Sequence, residues 1–293
     1  MLQKLINSLR PQSIAINISD GRLWATVAPG NALPHELSLN EVLSPPSPTL
    51  DLTQPDPATL RLIFKKVFKT RVKGWLRPQV LISVPPGIAE AAELTILNAA
   101  RQAGAGQVSL IDEFFAAALG AGVYRQTRES ALQKKIFLWV KQDAAYLGFV
   151  FAGSALQVRI IPQGYAHLSQ EDLRHEFQQL LNQQTPEFPE ELKNRPIPKE
   201  DLGLIEKAWQ AEDDRRVYIT APSPYHGSWG QTLNDYQITY TEAGEEAVDQ
   251  GLAIFLAQND QESYDRTRQS MLRMMLIFLI FAILTILLYW TRA

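Results

Sequence analysis

Apolar positions in the middle of this chain alternate between two periods. Val80-Leu-Ile-Ser-Val84 is a short, nearly continuous apolar run closed by Pro85-Pro-Gly87, the pattern of a buried strand. From Ile88 onward, Ala92, Ile96, Ala99 and Ala103 recur at helical spacing, and Gly104 stands where a helix C-cap belongs. Val108-Ser-Leu-Ile111 repeats the strand pattern, then comes Asp112-Glu113, then Phe114-Phe-Ala-Ala-Ala-Leu-Gly-Ala-Gly122. A helix this rich in alanine and glycine packs very closely on a neighbour. Strand, helix, strand and helix with short joints predict a parallel α/β layer with a right-handed crossover.

The flanks extend the pattern. Leu2, Leu5, Ile6 and Leu9 share one face of an amphipathic leader, Met1–Arg10, which can lie in a membrane interface or pack on the protein body. Ile14-Ala-Ile-Asn-Ile18 and Leu23-Trp-Ala-Thr-Val27 flank Ser19-Asp20-Gly21 and read as a hairpin. Seven of the eighteen prolines fall between Pro29 and Pro57, so that stretch reads as a loop. Asp56-Pro57 then opens a helix as N-cap and first-turn proline, with Leu60, Ile63, Phe64, Val67 and Phe68 on its apolar side. Ile136 to Val150 predicts two strands around Lys141-Gln-Asp-Ala144. Ser169 caps a helix to Gln184, and Thr185 to Pro198 reads as a loop. Val217-Tyr-Ile-Thr220 and Ile238-Thr-Tyr240 are strands, and a helix follows through Ala247, Val248, Gly251, Leu252 and Phe255.

The tail has a different character. Gln258 to Ser270 is a polar tether, and Met274 to Trp290 is seventeen residues without a charge. With Met271 and Leu272 this approaches the length of a bilayer span. Met274, Phe278 and Phe281 would face lipid, and Tyr289 and Trp290 sit where an aromatic interface anchor belongs. Arg266, Arg268 and Arg273 precede the span and only Arg292 follows it, so the body is expected on the cytoplasmic side.

Composition narrows the chemistry. With 293 residues, 46% hydrophobic and 20% charged, most of the chain is globular and large enough for two lobes. A net charge of −3 implies no charged partner for the whole molecule. The absence of cysteine excludes disulfides and thiolate catalysis. His35, His167, His175 and His226 lie far apart, so no metal site is expected. Charge is concentrated in one place. Arg61, Lys65, Lys66 and Lys69 line the outer side of the helix after Pro57, with no acid before Ala89. That face is either simply solvated or meets an anionic lipid surface, which suits the tail better than nucleic acid does.

Val-Pro-x-Gly, Gln102-Ala-Gly-Ala-Gly106 and Leu110-Ile-Asp-Glu followed by Ala-Ala-Ala-Leu-Gly-Ala-Gly resemble the centre of MreB, the bacterial actin. The resemblance implies an α/β, two-lobed, actin-like (ribonuclease-H-like) fold with reduced small subdomains, to which the sequence adds one C-terminal transmembrane helix. The implied organisation is a leader at 1–12, a first lobe at 13–125, a second at 126–257, a tether at 258–270 and the span at 271–291.

The departures fall where that family holds ATP. In its first phosphate loop, Ile-Asp-Leu-Gly-Thr, the Asp, Gly and Thr become Asn17, Ser19 and Asp20. In the second, Trp139 replaces the Asp, Lys141, Gln142 and Asp143 replace glycines, and Ala144 replaces a Thr. Ala221-Pro222-Ser223 stands in place of the adenosine-binding glycines. Phosphate needs bare backbone and the metal needs a carboxylate; these loops offer neither. Asp112 and Glu113 remain where the family activates water, as vestigial candidates without a phosphate to act on. No cofactor is expected. The implied protein is a pseudo-ATPase scaffold of the bacterial inner membrane, single-pass with a cytoplasmic body. It would bind lipid, and itself, an MreB-type filament or an envelope complex, but not nucleic acid. The alternatives are an actin-fold adaptor of a pilus or secretion apparatus (PilM- or GspL-like) and an active ATP-dependent filament former.

Overall fold

The structure, a computed structural model, describes residues 12–19, 22–28, 35–37, 51–72, 76–125, 127, 129, 132–182, 188–189, 192, 199–210, 216–221, 233, 236–241 and 246–258. The amphipathic leader, the bilayer span with Met274, Phe278, Phe281, Tyr289 and Trp290, and the loop residues Asp20 and Pro222 lie outside these residues. Among the described residues, no helix is long and apolar enough to cross a membrane.

Two five-stranded sheets carry the fold. The first uses β1 (Ser13–Ser19), β2 (Arg22–Ala28), β3 (His35–Leu37), β4 (Gln79–Val84) and β5 (Gln107–Asp112) in the order β3-β2-β1-β4-β5. β1 and β2 form the antiparallel hairpin expected from alternation, with Asn17 opposite Trp24. β4 then pairs parallel to β1, and β5 parallel to β4. The second sheet uses β6 (Lys135–Val140), β7 (Ala145–Phe151), β8 (Ser154–Ile161), β9 (Arg216–Thr220) and β10 (Gln237–Thr241) in the order β10-β9-β6-β7-β8. Its pairings repeat the first: antiparallel β6–β7 and β7–β8, parallel β6–β9 and β9–β10. The two halves share one topology.

Local chemistry explains the helices. In α1 (Pro57–Arg71), the Asp56 carboxylate accepts from Thr59 N at 2.8 Å, and proline occupies the first turn. The carboxylate satisfies one orphan backbone N–H of the first turn, and the proline has no N–H to leave unpaired. α2 (Glu90–Ala103) stops at Gly104, whose φ of +113° is the left-handed conformation that glycine adopts without a Cβ penalty. α4 (Gln170–Asn182) is capped by Ser169 Oγ, which accepts from Asp172 N at 3.1 Å. β8 and a helix α5 (Lys199–Gln210) are also present.

Three clusters make the core. Leu60, Ile63, Phe64 and Val67 of α1 and Ile96 of α2 bury against Ile14, Ile16, Val80 and Ile82 on the outer face of the first sheet. On the second sheet, Leu173, Phe177 and Leu180 of α4 and Trp209 of α5 bury against Leu138, Leu147 and Phe149. Each large side chain so buried contributes roughly 1.5–3 kcal/mol. The third cluster joins the lobes. It is built on α3 (Glu113–Gly120) and a last helix, α6, at residues 247–258. Ala15 and Leu81 from the first sheet and Phe137, Trp139 and Val150 from the second meet Phe114–Leu119, Ala247, Val248 and Leu252 there.

Candidate functional site

Of the loop residues singled out from sequence, Asn17 and Trp139 reach the joint between the lobes. β1 alternates: Ile14 and Ile16 face α1 and α2, while Ala15 faces the joint. Two residues on, Asn17 continues the joint-facing row. On the neighbouring parallel strand, Leu81 and then Ser83 form the matching row. Asn17 is 3% exposed and Ser83 is fully buried. The Ser83 hydroxyl donates to Asn17 Oδ1 at 2.7 Å. The Asn17 amide in turn donates to Asp249 Oδ1 on α6 at 2.8 Å, and Asp249 is itself 6% exposed. So the Asn17 amide is bonded on both sides to protein. Ser19 ends β1 half-buried.

The second loop is a closed turn. Lys141 N donates to Ala144 O at 2.8 Å, and Tyr165 N donates to Lys141 O at 3.0 Å. Gly164 lies flat on this turn: a Cβ there would collide with the Gln142 carbonyl. Only glycine permits that approach. Trp139 points away from the turn into the joint cluster, 2% exposed, with its ring stacked on Tyr146 at 5.1 Å between centroids. The Lys141 ammonium lies 5.3 Å from the Trp139 ring, a cation–π contact. Asp143 is exposed in the turn. Ala221, directly after β9, is 3% exposed and belongs to the core of the second lobe.

Asp112 and Glu113 sit at the start of α3. The Asp112 carboxylate caps the helix, accepting from Phe114 N at 2.7 Å and Phe115 N at 3.2 Å. Burial pushes its carboxyl up to about 6, and those two backbone N–H groups offset only part of the shift. Glu113 is 3% exposed, the first residue of a helix buried through Leu119. Elsewhere, burial alone lowers the Lys134 ammonium to about 8; it donates to Trp209 O at 3.2 Å. Arg61, Lys65, Lys66 and Lys69 are all exposed along α1, far in the fold from the joint cluster, with Leu62 also 51% exposed among them. Among the described residues, no group of three potential metal ligands converges.

Sequence reasoning missed Ser83, Asp249 and Gly164. Two of them left a signal. Ser83 is the one polar residue in β4's apolar run, and Asp249 is an acid between Val248 and Gly251 on a helix face of small and apolar residues. The arrangement supplies structural bonds across the joint, with the polar atoms of Asn17 directed to protein partners.

A model described as MreB/Mbl protein matches residues 51–132. Among solved structures, MreB5 of Spiroplasma citri bound to AMPPNP is similar with 14% identity and a TM-score of 0.52, covering 87% of this chain and 99% of that chain. The ADP-bound form of the same protein gives 14% and 0.53, over 86% of this chain and 98% of that one. A non-polymerising mutant of MamK bound to AMPPNP gives 11% and 0.53, over 85% and 99%. No curated protein sequence matches the chain. At these identities the likeness is one of fold: an actin-like, MreB-type, two-lobed α/β architecture.

Proposed function

We propose that this protein is a membrane-anchored, actin-fold scaffold of the bacterial inner membrane that works through protein contacts in cell shape or envelope assembly, without nucleotide turnover. The observation that carries the reading is Asn17: in place of a carboxylate open to a metal ion, it is a buried amide bonded to Ser83 and Asp249. Trp139 supports it, since its indole is packed in the joint core where the second metal-directed carboxylate of the resembled family would stand. Asp112 supports it too, because its carboxylate is engaged as a helix cap. The uncharged run from Met274 to Trp290 supports the anchor, and the basic face of α1 supports a lipid contact beside it. Self-association, or association with an MreB-type filament, is the partner chemistry that the fold favours.

A second reading, an ATP-dependent filament former, draws on the AMPPNP and ADP bound to the solved neighbours. Thermal melting with and without magnesium-ATP separates the two. A ligand at a hundred times its dissociation constant adds about 2.7 kcal/mol of stability. No shift at millimolar ATP is expected; a clear upward shift overturns the scaffold reading in favour of the nucleotide-driven one.

A further inference from the structure

The bond from Asn17 to Asp249 links positions 232 residues apart in the chain. Asn17 and Ser83 belong to the first sheet, and Asp249 to the helix by which the chain leaves the second. The surroundings are apolar: Ala15, Leu81, Val248 and Leu252 share the same cluster. A carboxylate placed there needs a donor, and an amide placed there needs both an acceptor and a donor. The three side chains form one chain of hydrogen bonds. Asp249 receives the Asn17 N–H, and the Asn17 carbonyl receives the Ser83 O–H.

The fold itself does not require this set. The two halves repeat one strand order, so β6 stands for β1 and β9 for β4. The helices cross reciprocally as well: a Cβ on Gly120 would strike the Ala247 carbonyl, and one on Gly251 would strike the Ala116 carbonyl. That pairing exchanges 120 with 251 and 116 with 247, and so maps Asp249 onto Ala118. The places equivalent to Asn17, Ser83 and Asp249 are therefore Trp139, Thr220 and Ala118, with Trp139 and Thr220 paired across β6 and β9. On that side a large indole faces a small residue within the joint cluster, with no charge. A polar link is made on one side of the joint and apolar filling on the other.

We propose that Asn17, Ser83 and Asp249 form a permanent clasp between the first lobe and α6, holding the two lobes in one closed arrangement without any ligand in the cleft. The proposal rests on the ligand-independent reading of the loops given above. Nothing has to enter the cleft for these bonds to form, and moving α6 away from the first sheet breaks the bond between Asn17 and Asp249 and uncovers a carboxylate and an amide. A scaffold with such a joint presents one fixed surface to its partner.

The chain has no cysteine, so Glu90→Cys on α2 and Arg174→Cys on α4, both at exposed positions, introduce the only two thiols for spin-label distance measurement in the full-length protein. The labelled protein should give one narrow distance distribution, unchanged by magnesium-ATP. Asn17→Asp sets two carboxylates against each other; it should broaden and lengthen the distribution and lower Tm by on the order of 10 °C. Adding Asp249→Asn restores the bond with its donor and acceptor exchanged, and should return the narrow distribution. An unchanged distribution in Asn17→Asp overturns the clasp, as does a double variant as broad as the single one. Should Asn17→Asp not fold, Asp249→Ala removes the acceptor of the bond to α6, and an unchanged distribution in that variant overturns the clasp equally. A rise of wild-type Tm with magnesium-ATP overturns the ligand-independent reading on its own, while the variants still decide the clasp.

Discussion

At the scale of single residues, the joint converts charges into structural bonds and leaves one of them costly. Asp112 titrates near 6 because burial penalises its ionised form, against about 3.9 in an unfolded chain. Below roughly pH 4 it is protonated in both states and costs nothing. Between about 4 and 6 the unfolded chain ionises first, so stability falls as pH rises, and above 6 the full penalty of about 3 kcal/mol is present. Asp112→Asn keeps an oxygen to cap α3 without the charge. It should therefore be more stable than wild type in urea melts at pH 7, with the gap closing near pH 4; a gap independent of pH would refute the assignment. How much of this could be read from sequence depends on distance along the chain. That Asn17 is no metal carboxylate is visible in one residue. That its amide serves Asp249 is not, because the partner comes from the far end of the chain. Trp139 was legible as a lost acid but not as core, since an indole beside a turn reads equally well as exposed.

At the scale of elements, the α3–α6 crossing is set by what is missing. Gly120 and Gly251 let the two backbones touch, each next to the other's alanine carbonyl. Gly251→Ala adds one methyl group where no space exists, and overpacking of this kind costs about 1–3 kcal/mol. A fall in Tm of roughly 2–12 °C is expected; an unchanged melt would show that the helices part at little cost. The alanine-glycine composition of α3 announced a close neighbour, but composition cannot say which helix that is. Capped and strongly periodic elements were fully legible: α1 from Asp56-Pro57, α2 from its spacing and Gly104, and α4 from Ser169. The three-residue strand β3 sits in a proline-rich stretch that reads as loop, and β8 carries a left-handed Gln157 and a register shift against β7 that blur its alternation. α5 follows a run of prolines and has a glycine at its centre, Gly203, so its pattern is weak.

At the scale of the whole molecule, attachment and orientation are separate questions. Removing residues 271–293 should move most of the protein from the membrane to the soluble fraction; if the shortened protein stays wholly membrane-bound, the leader or the basic face is a main anchor. The shortened body should still bind acidic vesicles at low salt through Arg61, Lys65, Lys66 and Lys69, each charge contributing on the order of 1 kcal/mol and less as salt rises. Changing the three lysines to glutamate should abolish that binding, and equal binding by both forms would mean that the face is only solvated. Connectivity adds a mechanical consequence. α6 is described to residue 258 and the chain continues from it into the tail, so any tension drawn through the chain beyond it enters the folded body along α6. That force meets the packing of Leu256 and Leu252 in the joint cluster, then the contacts of Gly251 and the bond of Asp249. A pull on the tail is thus delivered to the seam between the lobes, where it strains both halves together, rather than to an edge strand that could be peeled away one residue at a time.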